Sequence, residues 1–229
     1  IKDKKKIYET EILVEQNRAY GLIDKEVTEE LLGYNLNNII GNYYNFKYLE
    51  PLLEKSALKK YDFIVKAYAD NENYFMMKIY PNESEKGLLD DFTIIYDNKK
   101  NLIIEASSVL SPRVVAKNID KIPERSRNVY ESFFKTIYKD DGSNYYLISS
   151  REEIGFERVV KKESTYIEVK NSFVITNFSN QFFTRKETDV FKDQTMFNKS
   201  NVIFTNYWDI SGLTPTDEEV EIINRIIEN

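Results

Sequence analysis

The chain has 229 residues, 41% hydrophobic and 14% aromatic, with 38 acidic against 32 basic side chains and a net charge of −6. This is long and apolar enough for a substantial core and excludes a wholly disordered protein, while mild acidity without a basic stripe argues against nucleic acid as a partner. Cys and His are both absent, which excludes disulfides, thiol chemistry, His-based acid–base catalysis and the usual zinc sites.

Seventeen Tyr and fourteen Phe favour strands, because aromatics suit a half-buried pleated surface. In chain order, "KKIYETEILVEQ" (5–16) predicts a first strand of imperfect alternation. "VTEELLGYNLNNIIG" (27–41) predicts a helix, with Leu32, Leu36, Ile39 and Ile40 at helical spacing and Gly41 placed to stop it. An aromatic patch, "NYYNFKYLEPLL", follows, with Pro51 at the first turn of a short helix through Leu58.

From Tyr61 the apolar period becomes two. "YDFIVKAYAD" is answered by "YFMMKIYP" across Asn71-Glu72-Asn73, which puts Phe75, Met77 and Ile79 on one face. After the polar "NESEKG", the segment "FTIIYDNKKNLIIEASSVL" predicts a hairpin with Asn98–Asn101 at its tip. Four strands on short polar connections make an antiparallel meander. "PRVVAKNIDKIPERSRN" (112–128) has no clean period and reads as a broken helix or loop.

A second meander is expected from "VYESFFKTIYKD", the turn Asp141-Gly142-Ser143-Asn144, "YYLISSREEIGFERVV" and "STYIEVKNSFVITNFS". In its middle strand, Tyr146, Ile148, Ile154 and Phe156 facing inward would carry Glu152 inward too. The tail ends in "TPTDEEVEIINRIIEN", where Thr216 and Glu219 form a capping box and Val220, Ile223 and Ile227 an apolar stripe. No run of about 18 apolar residues exists, so no membrane-spanning helix is expected. The opening Ile1-Lys2-Asp3 reads as the start of a mature or trimmed chain. No linker or repeat interrupts 1–229, so one β-rich domain is expected.

Three groups of residues carry a likeness. They are the Asp141–Leu147 hairpin, the strand end Ser172-Phe173-Val174-Ile175-Thr176-Asn177, and Tyr207-Trp208-Asp209-Ile210 running into Pro215 and Glu218-Glu219. This order resembles the C-terminal region of a Bacteroidetes family of envelope proteins that carry a carboxypeptidase-like regulatory domain and a signal sequence. Neither of those two parts is expected within residues 1–229. "FTIIYDNKKNLIIEASS" is similar to a hairpin of the same family. The hairpin order is also similar to the half-barrel of lipoprotein-carrier and lipoprotein-sorting proteins of the LolA/LolB type, a fold-level analogy. The fold class expected is therefore α+β, a curved, mostly antiparallel sheet (half-barrel) with two or three packed helices. The resemblance implies a non-enzymatic periplasmic or outer-membrane-associated module, without cofactor, that binds a hydrophobic ligand or an envelope protein.

Phe75, Met77, Ile79, Phe92, Ile94 and Ile103 would line an apolar ligand surface; the competing reading packs them under helices as core. Glu152 is either a functional carboxylate in that hollow or turned outward by a bulge near Ser149-Ser150. Trp208, the single Trp, is either a stacking platform or an anchor of the tail on the sheet. The acidic pairs Asp90-Asp91 and Asp140-Asp141 and the triplet Asp217-Glu218-Glu219 raise an alternative, a carboxylate-based hydrolase of glycans. A purely structural interaction domain is the third reading.

Overall fold

The computed structural model describes residues 42–43, 45–69, 71–85, 89–112, 129–160 and 162–175. The strand expected over 5–16, the helix over 27–41, the 112–128 segment beyond Pro112, the closing helix and Trp208 lie outside the described residues.

Among the described residues, seven strands follow one another in sequence and in space. They are β1 (Tyr61–Ala67), β2 (Tyr74–Pro81), β3 (Asp90–Asp97), β4 (Leu102–Leu110), β5 (Val129–Asp140), β6 (Tyr145–Val160) and β7 (Glu163–Val174). Every neighbouring pair is antiparallel, and the sheet is curved and does not close, with β1 and β7 at its edges. The two meanders read from the sequence are thus one, because β4 pairs with β5, Ser108 facing Phe134.

The turns follow from local side-chain chemistry. At the β3–β4 tip, Asp97 Oδ1 accepts the Lys99 and Lys100 amides at 2.9 Å each, and Asn101, a residue that tolerates the left-handed region, takes φ 57°. At the β5–β6 tip, Asp141 Oδ1 accepts the Ser143 and Asn144 amides at 2.9 and 2.8 Å. Gly142 there takes φ 90°, where a side chain would be strained. Lys100 pairs with Asp140, tying the two tips together. Asp140 and Asp141 therefore have their pKa values lowered, chiefly by Lys100 for Asp140 and by the Ser143 and Asn144 amides for Asp141. The acidic pair is accounted for by turn structure.

Ahead of the sheet, a 3-10 turn (Lys47–Leu49) runs into α1 (Glu50–Leu53), and α2 (Ala57–Lys60) leads into β1. The single helix expected through Leu58 is thus split in two. Glu54 is extended at φ −65°, ψ 146°, and its carboxylate accepts Ser56 Oγ and Lys60 Nζ at 3.0 Å each. This stretch lies across one face of the sheet. Tyr43, with Phe46 and Tyr48, packs on Phe134, Tyr138 and Leu147, while Leu49, Leu52 and Ala57 pack on Ile79, Phe92, Ile94 and Ala106. We call that side the core face.

Candidate functional site

Strand alternation and register assemble the core face. Met77 on β2 stands opposite Val65 on β1 and Ile94 on β3. Ile79 stands opposite Phe63 and Phe92, and Phe75 opposite Ala67 and Tyr96. Six of the residues singled out from sequence, Phe75, Met77, Ile79, Phe92, Ile94 and Ile103, are therefore gathered in one half of this face.

Their environments differ. Ile79 and Phe92 are 1% and 2% exposed beneath Leu49 and Ala57, and Ile94 is buried with them. Met77 and Ile103 pack at the margin of that cluster. Phe75 is half-buried and stacks on Tyr96 with ring centroids 5.9 Å apart. Beyond the margin, Phe63 and Val65 on β1 are 37% and 50% exposed. The result is an apolar strip that starts in the core under α1 and α2 and runs to partly exposed side chains at the β1 edge.

The other half of the face, on β5 to β7, is rich in hydroxyls. The Tyr48 hydroxyl lies 2.9 Å from both Thr136 Oγ1 and the Tyr138 hydroxyl, and Tyr138 donates to the Tyr43 carbonyl. Counting protons fixes the direction. Tyr138 has given its proton to Tyr43, so Tyr48 donates to Tyr138, while the one proton of Thr136 has the Ala106 carbonyl, 3.4 Å away, as an acceptor beside its contact with Tyr48. Aromatic rings frame this chain: Tyr43 stacks on Phe134 at 5.5 Å and Tyr138 on Tyr145 at 5.3 Å. Burial raises the pKa of Tyr43, Tyr48 and Tyr138 above the usual phenol value. The Tyr43 hydroxyl faces Ser150, which lowers its pKa, and Glu152, whose charge raises it, and among the described residues no hydrogen bond of ordinary geometry reaches it.

Glu152 is 3% exposed, with Phe134 and Asn171 across the ladder on either side. A register shift does lie near Ser149-Ser150: Ile137 faces Ser149, but Tyr138 faces Leu147. The unpaired residue is Ile148, on the turn side of Glu152. The bulge therefore leaves Glu152 inward and changes the other half of the strand. Leu147 is buried in the core and Tyr145 packs against it, so Tyr146 and Ile148 do not share the face of Glu152. Glu152 sits on β6, across the sheet from Phe75 and Met77 on β2.

Sequence reading missed this hydroxyl chain. Its signal was the aromatic patch around Tyr43 and Tyr48, whose partners lie some ninety positions away.

A second acid on the core face is Asp90, opposite Leu110 at the start of β3. Burial pushes its carboxyl up to about 6, opposed by a hydrogen bond from Ser108 and reinforced by the charge of Asp91. Nearby Tyr61 is pushed up to about 12 by burial, then by the charge of Asp90.

The outer face is different in kind. Lys135 pairs with Glu105 at 2.8 Å, and Arg151 pairs with Glu153 while lying 5.9 Å over the Phe133 ring. An open depression of about 390 Å³ lies there, lined by Val109, Tyr130, Phe133, Arg151 and Glu153 among others. Arg151 and Glu153, which flank Glu152 in sequence, line it, but Phe75, Met77, Ile79, Phe92, Ile94, Ile103 and Glu152 do not. Among the described residues no group of three acidic side chains is placed to hold a metal ion, and no helix is long and apolar enough to cross a membrane. No family model, curated protein or solved structure matches the chain.

Proposed function

We propose that this chain is a non-enzymatic binding or scaffolding module of the bacterial cell envelope, periplasmic or outer-membrane associated. It holds a hydrophobic or lipid-like ligand against the core face of a half-barrel sheet. One observation carries the reading: the apolar strip does not end where α1 and α2 end. It continues through Met77 and Phe75 to Val65 and Phe63, which are 50% and 37% exposed. An acyl chain laid along it would extend the buried surface of Ile79 and Phe92, and each methylene removed from water contributes about 0.8 kcal/mol. Ligand sites of this kind are mostly apolar with few polar groups, which matches the β1–β3 half and not the hydroxyl-rich half. The envelope address and the carrier-like role rest on the resemblances of the hairpins and strand ends quoted above.

Titration with a fluorescent fatty acid tests the proposal. Saturable binding is expected, weakened at least tenfold by Phe75→Ser or Met77→Glu and unchanged by Tyr166→Ser on the outer face of β7. Absence of binding, or equal affinity in all four proteins, would contradict it.

A further inference from the structure

The outer edge of β1 carries an inference that rests on strand geometry and not on the ligand reading. Edge strands of soluble proteins are ordinarily guarded by proline, a bulge, short length or charge. β1 has seven residues, no proline and an unbroken register against β2. Among the described residues no strand lies on its other side. Phe63, Ile64 and Val65, three large apolar side chains in a row, are 37%, 44% and 50% exposed.

The direction of the backbone groups can be read from the ladder. The Tyr68 amide donates to the Tyr74 carbonyl at 2.9 Å and the Asn82 amide to the Lys60 carbonyl at 2.7 Å. Alternation then sends the amides and carbonyls of Asp62, Ile64 and Lys66 toward β2, and those of Tyr61, Phe63, Val65 and Ala67 outward. A second antiparallel strand must meet outward groups with outward groups. If that strand is another β1, the two-fold axis has to pass through a residue and not between residues.

Side-chain chemistry chooses the residue. Centring on Phe63 sets Lys66 against Lys60 of the second copy, and centring on Val65 sets Ile64 against Lys66. Centring on Ile64 sets Asp62 against Lys66 and Lys66 against Asp62. It also sets Ile64 against Ile64, and Phe63 against Val65 twice over. Asp62–Lys66 and Ile64–Ile64 then fall at the pairs without mutual hydrogen bonds, where facing side chains are nearest. Among the described residues neither Asp62 nor Lys66 has an ion-pair partner within the chain.

We infer that β1 is a self-complementary edge through which two copies of this chain pair antiparallel about Ile64. The interface is isologous, as closed two-fold symmetry requires, and it joins the two seven-stranded sheets into one. Phe63 and Val65 lie on the core face, so the apolar strips of the two copies become continuous across the axis.

Sedimentation velocity of the full chain over a wide concentration range tests this. The unaltered protein is expected to be dimeric. Asp62→Lys puts four Lys and Lys66→Asp four Asp around the axis, and each is expected to raise the dimer dissociation constant at least tenfold. Mixing those two variants restores facing pairs of opposite charge, and so does the double swap Asp62→Lys/Lys66→Asp; both are expected to dimerise. Circular dichroism of the swaps, at exposed positions, should match the unaltered protein. A monomer at every concentration, dimerisation indifferent to the single swaps, or failure of the mixture to restore it would overturn the inference. Both residues are on the outer face, so fatty-acid binding reports on the ligand reading separately.

Discussion

The two halves of the core face share one sheet and one covering segment, yet they hold that segment by different means. On β1 to β4 the contacts are Ile79, Phe92, Ile94 and Ala106 against Leu49 and Ala57. Such contacts are non-directional, scale with buried area and tolerate some sliding. On β5 to β7 the packing of Tyr43, Phe46 and Tyr48 on Phe134, Tyr138 and Leu147 is joined by hydroxyl bonds, Tyr48 to Tyr138 and Tyr138 to the Tyr43 carbonyl, with Thr136 Oγ1 2.9 Å from Tyr48. The two tyrosine links are directional, so that half fixes where the segment sits. The lesson is a division of labour: the hydroxyl half sets position, which leaves the apolar half free to run past its cover to the partly exposed Phe63 and Val65.

The comparison can be broken first at its apolar end. Phe92→Ala removes a side chain that is 2% exposed, and a loss of about 3–5 kcal/mol is expected in urea unfolding. A loss below about 1 kcal/mol would mean that the β1–β4 half is not the packed core described here.

Asp90 comes next, because it is the partly buried acid at the end of that apolar half. Its folded pKa of about 6 lies above the ordinary 3.8, so the folded state holds the proton more tightly than the unfolded state. Its contribution is most favourable below about pH 4 and is lost as pH rises toward about 6. Asp90→Asn is expected to stabilise the fold at neutral pH by on the order of 2 kcal/mol and to bring little gain at pH 3.5. Paired unfolding curves at the two pH values check this, and a pH-independent difference would refute it.

The hydroxyl half should respond in smaller, graded steps. Tyr138→Phe strands both the Tyr48 proton and the Tyr43 carbonyl, at an expected cost of about 1–2 kcal/mol. Thr136→Val removes a hydroxyl that contacts Tyr48 and bonds the Ala106 carbonyl, and should cost about 1 kcal/mol or less. A double-mutant cycle between the two should show coupling of about 0.5 kcal/mol or more. Strict additivity would dissolve the chain into separate contacts.

Much of the strand order was legible because its signals are local. Period-two runs and turn residues placed β1 to β6 close to where they lie, and the faces of β2 followed from Phe75, Met77 and Ile79 alone. A bulge near Ser149-Ser150 was legible as an alternative, but not which half of the strand it turns. Tyr146, Leu147 and Ile148 are all apolar, so alternation could not say which of them points inward, whereas Glu152 declared its own side through Ile154. The 42–60 segment was legible as aromatic but not as a covering layer. Phe46 takes φ 52°, which breaks any regular period, and Tyr48 finds its partners about 90 residues further on. The apolar site residues were found because they build a sheet face; their division into covered and exposed members depends on where that segment docks.

The measurement that bears most directly on the proposed ligand-holding role of the core face is native mass spectrometry of the full chain purified without detergent, followed by organic extraction. A bound amphiphile that leaves on unfolding is the expected result. A single apo mass that takes up neither added fatty acid nor added phospholipid would contradict it.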